Sequence, residues 1–108
     1  MAWIYLLLAG LLEVVWAYAM KLSEGFSKPL PATVTLLAMI ASFVLLSLAM
    51  RALPLGTAYT VWTGIGAIGA FVLGIVALGE PVTPLRVLAA LLIVSGLVLM
   101  KLAGGSAG

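Results

Sequence analysis

The chain contains no cysteine, no histidine, no aspartate, no asparagine and no glutamine among its 108 residues. Disulfide bonds are therefore excluded, and because the usual nitrogen and sulfur ligands are missing we expect no metal and no other cofactor. Only 7% of the residues are charged, whereas a soluble domain usually carries about a quarter. The five basic residues form no cluster, so we expect no nucleic-acid partner.

Hydrophobic residues make up 66% of the chain, and the mean hydropathy is +1.38. Charged and turn-forming residues divide it into four apolar segments, at about residues 2–20, 30–50, 57–79 and 85–102. About twenty helical residues cross a hydrocarbon core of about 30 Å. The sequence therefore predicts an all-α membrane protein, with residues 1–108 forming a single four-helix transmembrane domain. The first segment lacks the basic start of a signal peptide and leads into three more spans.

Positive charges are almost evenly divided between the two sides of the membrane. Arg51 and Lys101 lie on the side of the termini, whereas Lys21, Lys28 and Arg86 lie on the other side. Such a small asymmetry hardly determines orientation. Either the small number of charges makes the bias noisy, or the chain inserts in both orientations and two copies pair antiparallel. The charge counts do not choose between these interpretations.

The small size of the chain favours pairing. Four helices leave little room for a central cavity, and a polar group that faced lipid would lack hydrogen-bond partners. In the last segment Ala89 and Gly96 lie seven positions apart on one stripe, next to Ser95. Small residues allow another helix to approach closely. Ala89, Ser95 and Gly96 are therefore the predicted dimer contact, although small residues are common in membrane helices.

Glu13 interrupts the otherwise apolar sequence AGLLEVVWAYAM. It lies near the bilayer centre, where its short side chain cannot reach water at either interface. Gly10 and Trp16 lie one helical turn away on the same face, so this face resembles a pocket wall. An apolar environment disfavours the ionised carboxylate, and a cation that stabilised it would compete with a proton. The alternative is a structural glutamate satisfied by one interhelical hydrogen bond.

Residues in the middle segments offer companions for this carboxyl group. Ser42 lies near the middle of the second segment, and Tyr59, Trp62, Thr63 and Gly66 recur at helical spacing in the third. Aromatic faces attract cations and hydroxyl groups orient carboxylates, so these side chains are candidates for lining a cation site. Anchoring at the membrane interface is the alternative for the aromatic residues. Packing or bending of the third helix is predicted at Gly64, Gly66 and Gly69.

Four motifs together resemble a known family. They are EVVWA in the first segment, Ser42 in the second, LPLGTAYTVWTGIGAIGA entering the third, and GEPVTPLR before the fourth. The chain is similar to the small multidrug resistance transporters over nearly its whole length, and specifically to their guanidinium exporter subgroup. The resemblance implies an antiparallel, dual-topology homodimer in the inner membrane. It also implies exchange of protons for a small cation such as guanidinium by alternating access, with two Glu13 carboxylates sharing one site.

The same resemblance implies roles for individual residues. Glu13 matches the carboxylate that binds proton and substrate, Ser42 and Trp62 match residues hydrogen-bonded to it, Trp16 matches a pocket wall, and Tyr59 matches a residue near the access gate. The guanidinium subgroup, rather than the exporters of polyaromatic drugs, is matched by Gly10, Thr63 and Gly64.

Other functions remain open at this stage. Within the family, the alternatives are a broader exporter of quaternary ammonium compounds and one subunit of a heterodimer. A passive pore would use the same apolar spans but would not require a titrating group. We do not expect an enzyme, because no histidine or lysine lies within the spans to activate the Ser42 hydroxyl group.

Overall fold

The structure, a computed structural model, describes residues 1–107 and the side chains of residues 1–103. It contains four helices: α1 (Ala2–Leu22), α2 (Pro29–Ala49), α3 (Leu55–Leu78) and α4 (Pro84–Ala107). Each helix is long and apolar enough to cross a membrane. The prediction of an all-α protein with four membrane-spanning helices is confirmed. The dimer and its antiparallel topology involve a second chain and remain predictions.

Proline and glycine determine where several helices begin and end. Pro29 and Pro84 are the first residues of α2 and α4, and Pro54 directly precedes α3. A proline at these positions sacrifices no intrahelical hydrogen bond, because the first turn has no acceptors for its backbone N–H groups. Gly79 ends α3 with a φ of 69°, a left-handed conformation that glycine adopts without steric cost.

The helices form a thin layer rather than a closed bundle. Helix α1 lies between α2 and α3, and α4 packs along α3. The Cα atoms extend over 43 × 34 × 16 Å, so one dimension is much shorter than the other two. No residue of α4 between Pro84 and Ala103 is buried. The chain therefore presents wide apolar surfaces that suit lipid or another protein.

Helices α1 and α3 run parallel and approach closely where glycine replaces a larger residue. A Cβ atom at Gly10 would lie 2.6 Å from Cγ2 of Ile65, and a Cβ atom at Gly69 would overlap Cγ2 of Val14. These contacts alternate, because α1 supplies the glycine in the first and α3 in the second. Missing side chains allow membrane helices to pack at short distance. Gly10 and Gly69 therefore allow the close packing of α1 against α3.

A buried hydrogen-bond chain links three helices. The Ser42 hydroxyl group on α2 donates to the carbonyl oxygen of Ala9 on α1 at 2.6 Å. The indole Nε1–H of Trp62 on α3 donates to the same hydroxyl oxygen at 3.0 Å. The surrounding core contains Leu6, Ala9, Leu46, Ala49, Leu53, Ala58, Val61 and Trp62. Because each bond joins two helices, the chain of bonds fixes their relative height.

Replacing Gly69 by alanine tests the close contact between α1 and α3. We expect Gly69→Ala to lower the free energy of unfolding by about 1–3 kcal/mol, because the new methyl group overlaps Val14. Gly56→Ala is the matched control, since nothing lies within 4 Å of its added Cβ atom. Denaturation of both variants in detergent measures the difference. Equal stability of the two variants would show that the contact is looser than described.

Ser42→Ala and Trp62→Phe test the hydrogen-bond chain as a double-mutant cycle. Ser42→Ala leaves the buried Trp62 indole N–H without its acceptor, which costs more than removing both groups together. We expect the two substitutions to be non-additive in unfolding free energy by about 1 kcal/mol. The same detergent denaturation measures all three variants. Strict additivity would mean that the bond contributes nothing to stability.

Candidate cation-binding site

The Glu13 side chain lies between α1 and α3, where Gly66 makes room for it. The residue is half-buried, whereas Gly66 is buried. A Cβ atom at Gly66 would overlap Oε1 of Glu13. The absence of a side chain at this position therefore allows the carboxyl group to lie directly against the α3 backbone.

Two buried polar atoms at this site have no hydrogen-bond partner among the residues that the structure describes. They are Oε1 of Glu13, an acceptor when the carboxyl group is ionised, and Nε1 of Trp16, a donor. The two residues lie one helical turn apart on α1. Burying a polar atom without a partner is costly, and such atoms are rare in folded proteins. The site is therefore chemically incomplete, and it can accept a proton or a hydrogen-bonding cation.

The ion pairs of the described residues lie away from this carboxyl group. Lys28 pairs with Glu24 at 2.6 Å in the loop between α1 and α2, where both side chains are mostly exposed. Arg86 and Glu80 lie 3.5 Å apart near the start of α4. Within residues 1–103 no ion pair involves Glu13. A cation that reached Glu13 would therefore not have to displace a resident basic side chain.

Four aromatic rings form a row across three helices. Trp16 on α1 lies 6.4 Å from Phe43 on α2, Phe43 lies 5.8 Å from Trp62 on α3, and Trp62 lies 5.4 Å from Tyr59, measured between ring centroids. The ring planes are tilted or perpendicular, as aromatic pairs prefer. The predicted residues Trp16, Tyr59 and Trp62 are therefore brought together. Phe43, which links them, was not predicted, because its own segment showed no aromatic periodicity.

The hydrogen bonds of Ser42 and Trp62 differ from the expected ones. The resemblance implied that both residues bond to Glu13, but Ser42 donates to the Ala9 carbonyl group and Trp62 donates to Ser42. The Ser42 hydroxyl group has a single proton, which this bond uses. Ala9 lies four residues before Glu13 on α1, and Trp62 lies four residues before Gly66 on α3. The two side chains thus fix the helices one turn away from the carboxyl group.

The other predicted lining residues lie in different surroundings. Gly10 packs against Ile65, one turn from Glu13. Thr63 is exposed, and its hydroxyl group donates to the Tyr59 carbonyl oxygen at 2.8 Å. Thr63 faces a groove between α3 and α4, and Gly64 contacts Leu97 of α4 there. The Thr63 hydroxyl group therefore bonds within α3, and Gly64 packs against Leu97 of α4. The role of Thr63 in lining a cation site remains a prediction.

The residues predicted to form a dimer contact lie on the open surface of α4. Ala89 and Ser95 are exposed, and the Ser95 hydroxyl group donates within the helix to the Leu91 carbonyl oxygen at 2.8 Å. A Cβ atom at Gly96 would meet no atom within 4 Å. The stripe has space for another helix, and its role as a dimer contact remains a prediction.

Comparison with known proteins identifies the family. The family described as "Small Multidrug Resistance protein" matches residues 1–94. The Guanidinium exporter of Citrobacter freundii is 56% identical over 102 residues, which are 94% of this chain and 97% of that protein. The Guanidinium exporter of Yersinia pseudotuberculosis is 56% identical over 103 residues, 95% of this chain and 99% of that protein.

These matches and the four membrane-spanning helices describe a multi-pass membrane transport protein rather than an enzyme. For a bacterial exporter, the inner membrane is the expected location. The match covers α1, α2 and α3 completely and α4 as far as residue 94. The chain therefore belongs to the small multidrug resistance family.

Proposed function

We propose that this protein is an antiporter that exports guanidinium in exchange for protons. The single observation that carries the proposal is the buried Oε1 atom of Glu13, which has no partner in the described part of the chain. The relatives named Guanidinium exporter, 56% identical across most of the chain, support guanidinium as the cation. Proton and guanidinium would bind the same carboxyl group, one at a time.

The chemistry of the site suits a flat cation with several N–H donors. A carboxylate accepts two parallel hydrogen bonds from a guanidinium group, which fixes its orientation as well as its charge. The aromatic row beside the site, which includes Trp16 and Phe43, can attract the cation through its ring faces. A compact ammonium ion offers no such planar pair of donors.

A second copy of the chain would complete the site. A layer with a 16 Å dimension cannot surround a solute on all sides, and the aromatic row ends at Tyr59, which is 53% exposed. In an antiparallel homodimer, two Glu13 carboxyl groups would line one cavity, with the α4 surfaces at Ala89, Ser95 and Gly96 as a contact. The nearly even division of positive charge between the two sides of the membrane is compatible with such dual insertion.

Competition between proton and cation would couple the two fluxes. If the dimer exchanges its open side readily only when the carboxyl groups are occupied, an inward proton gradient drives guanidinium outward. The Ser42 and Trp62 hydrogen bonds would keep the helices around the site in register during this alternating access. Antiparallel pairing would make the inward-open and outward-open states similar in structure and energy, because exchanging the two copies converts one into the other.

Glu13→Gln tests the central assignment. We expect guanidinium-driven proton flux in proteoliposomes to fall to the rate of protein-free liposomes, because glutamine has nearly the same shape but cannot be ionised. Glu24→Gln is the matched control, since this carboxylate lies in an exposed loop, and we expect it to keep normal flux. Coupled flux that survives Glu13→Gln would refute the proposal.

Binding measured across pH separates the proposed substrate from its alternatives. We expect guanidinium to bind wild-type protein more weakly as the pH falls, because protons occupy the same carboxyl groups. Methylguanidine and a quaternary ammonium ion are tested beside it. Binding that does not change with pH would contradict competition. Stronger binding of the quaternary ammonium ion than of guanidinium would favour a broader drug exporter.

Arginines appended to the C-terminus test dual insertion. We expect a short run of arginines to enforce one orientation and reduce transport, whereas the same number of appended serines should leave both unchanged. Orientation is measured by labelling one engineered cysteine, which is unambiguous because the natural chain contains none. Full transport by protein in a single enforced orientation would refute antiparallel pairing.

A further inference from the structure

A groove of about 370 Å³ lies between the C-terminal halves of α1 and α3. It begins beside Ala17, one turn beyond Glu13 on the same helix face. Lys21 lies eight residues from Glu13 on α1, which corresponds to about 12 Å along the helix axis. The polar side chains that line the groove are Tyr18, Lys21, Glu80 and Arg86.

The guanidinium group of Arg86 is held at this groove by three different partners. Its Nη2 atom lies 3.5 Å from Oε1 of Glu80. Its Nη1 atom donates to the carbonyl oxygen of Pro81 at 2.9 Å. Its Cζ atom lies 5.3 Å from the centroid of the Phe71 ring. A carboxylate, a carbonyl oxygen and an aromatic face thus surround one planar cation.

The backbone holds the Glu80 carboxylate in position. Its backbone N–H group donates to the Gly74 carbonyl oxygen at 3.0 Å, and the left-handed Gly79 turns the chain back over the end of α3. A Cβ atom at Gly74 would overlap Oε1 of Glu80. The carboxylate therefore lies against the backbone near the end of α3, and the backbone of residue 80 is held there by a hydrogen bond that does not involve Arg86.

We propose that Glu80, the Pro81 carbonyl oxygen and the Phe71 ring form an outer guanidinium-binding site, which Arg86 occupies until a free guanidinium ion displaces it. Taking guanidinium as the transported ion rests on the proposed function. The Glu80 carboxylate and the Pro81 carbonyl oxygen accept the hydrogen bonds that a guanidinium group donates, and the Phe71 ring offers it an aromatic face. The Glu80 and Arg86 side chains are 40% and 37% exposed, so solutes in water can reach them.

Arg86 acts at this site as a tethered competitor. A group attached by a few bonds has an effective concentration in the millimolar range or above, so free guanidinium displaces it only at comparable concentrations. Lys21, which lines the same groove, further opposes a second cation by repulsion, although its exposed position allows water and salt to screen it. The outer site is therefore empty of substrate at low concentration and fills at high concentration.

The test measures guanidinium binding to purified, full-length protein in which Glu13→Gln has removed the central site. Titration calorimetry compares guanidinium chloride with sodium chloride at equal concentration. Adding Arg86→Gln should strengthen guanidinium binding about tenfold, because the tethered competitor is gone. Adding Glu80→Gln as well should weaken binding again by about tenfold. Arg51→Gln in the Glu13→Gln background removes the same charge from an exposed loop residue and should not strengthen binding.

Equal binding by the Glu13→Gln/Arg86→Gln protein with and without Glu80→Gln would overturn the outer site. If Arg86→Gln reduces helix content, Arg86→Lys replaces it, because a lysine ammonium group lacks the planar donors and should compete less. An unchanged affinity in that variant would also overturn the site. Failure of the proposed function would be seen separately, as guanidinium–proton exchange that is equal in wild-type and Glu13→Gln protein. The binding measurements do not depend on that result, because every protein used in them lacks the Glu13 carboxyl group.

Discussion

The close approach of α1 and α3 at Gly66 determines the environment of Glu13, and the proposed function depends on this contact. The carboxyl group lies against a helix backbone whose own amide groups are already hydrogen-bonded within the helix. The neighbouring helix thus excludes water from Oε1 without replacing it as a hydrogen-bond partner. A protein that only needed rigidity would gain by filling this place with an apolar side chain. A carboxyl group at this position instead fits a group that exchanges one binding partner for another.

The packing around the carboxyl group combines tight contacts with specific ones. Glycines allow α1 and α3 to lie close together, but they have no side chains that could fix the relative height of the two helices. The Ser42 hydroxyl group fixes this height, because it donates a hydrogen bond to the α1 backbone and accepts one from the Trp62 indole N–H on α3. The level of the carboxyl group relative to the aromatic row is therefore set by two hydrogen bonds one turn away.

The sequence predicted the features that depend on short stretches of chain. Four apolar segments gave four helices, because hydropathy and segment length are local properties, and Glu13 stood out as a lone acidic residue within them. The aromatic residues Trp16, Tyr59 and Trp62 were also found from spacing. What was missed depends on contacts between distant segments: Phe43 as the link between two tryptophans, the Ala9 carbonyl oxygen as the partner of Ser42, and the enclosure of Arg86 by residues of α3 and the following loop. Backbone acceptors in particular have no sequence signal.

Helix α4 is attached to the layer along one side only. Its contact with α3 includes Leu97 over Gly64, and near its end Lys101 lies 4.5 Å from the centroid of the Trp3 ring. A helix bound in this way can tilt while the core of α1, α2 and α3 keeps its hydrogen bonds. Such a tilt would change the contacts of Leu97 with α3 and of Lys101 with Trp3 of α1, but not those hydrogen bonds. In mechanical terms, buried hydrogen bonds tie α1, α2 and α3 together, whereas the contacts of Leu97 and Lys101 join α4 to them through side chains.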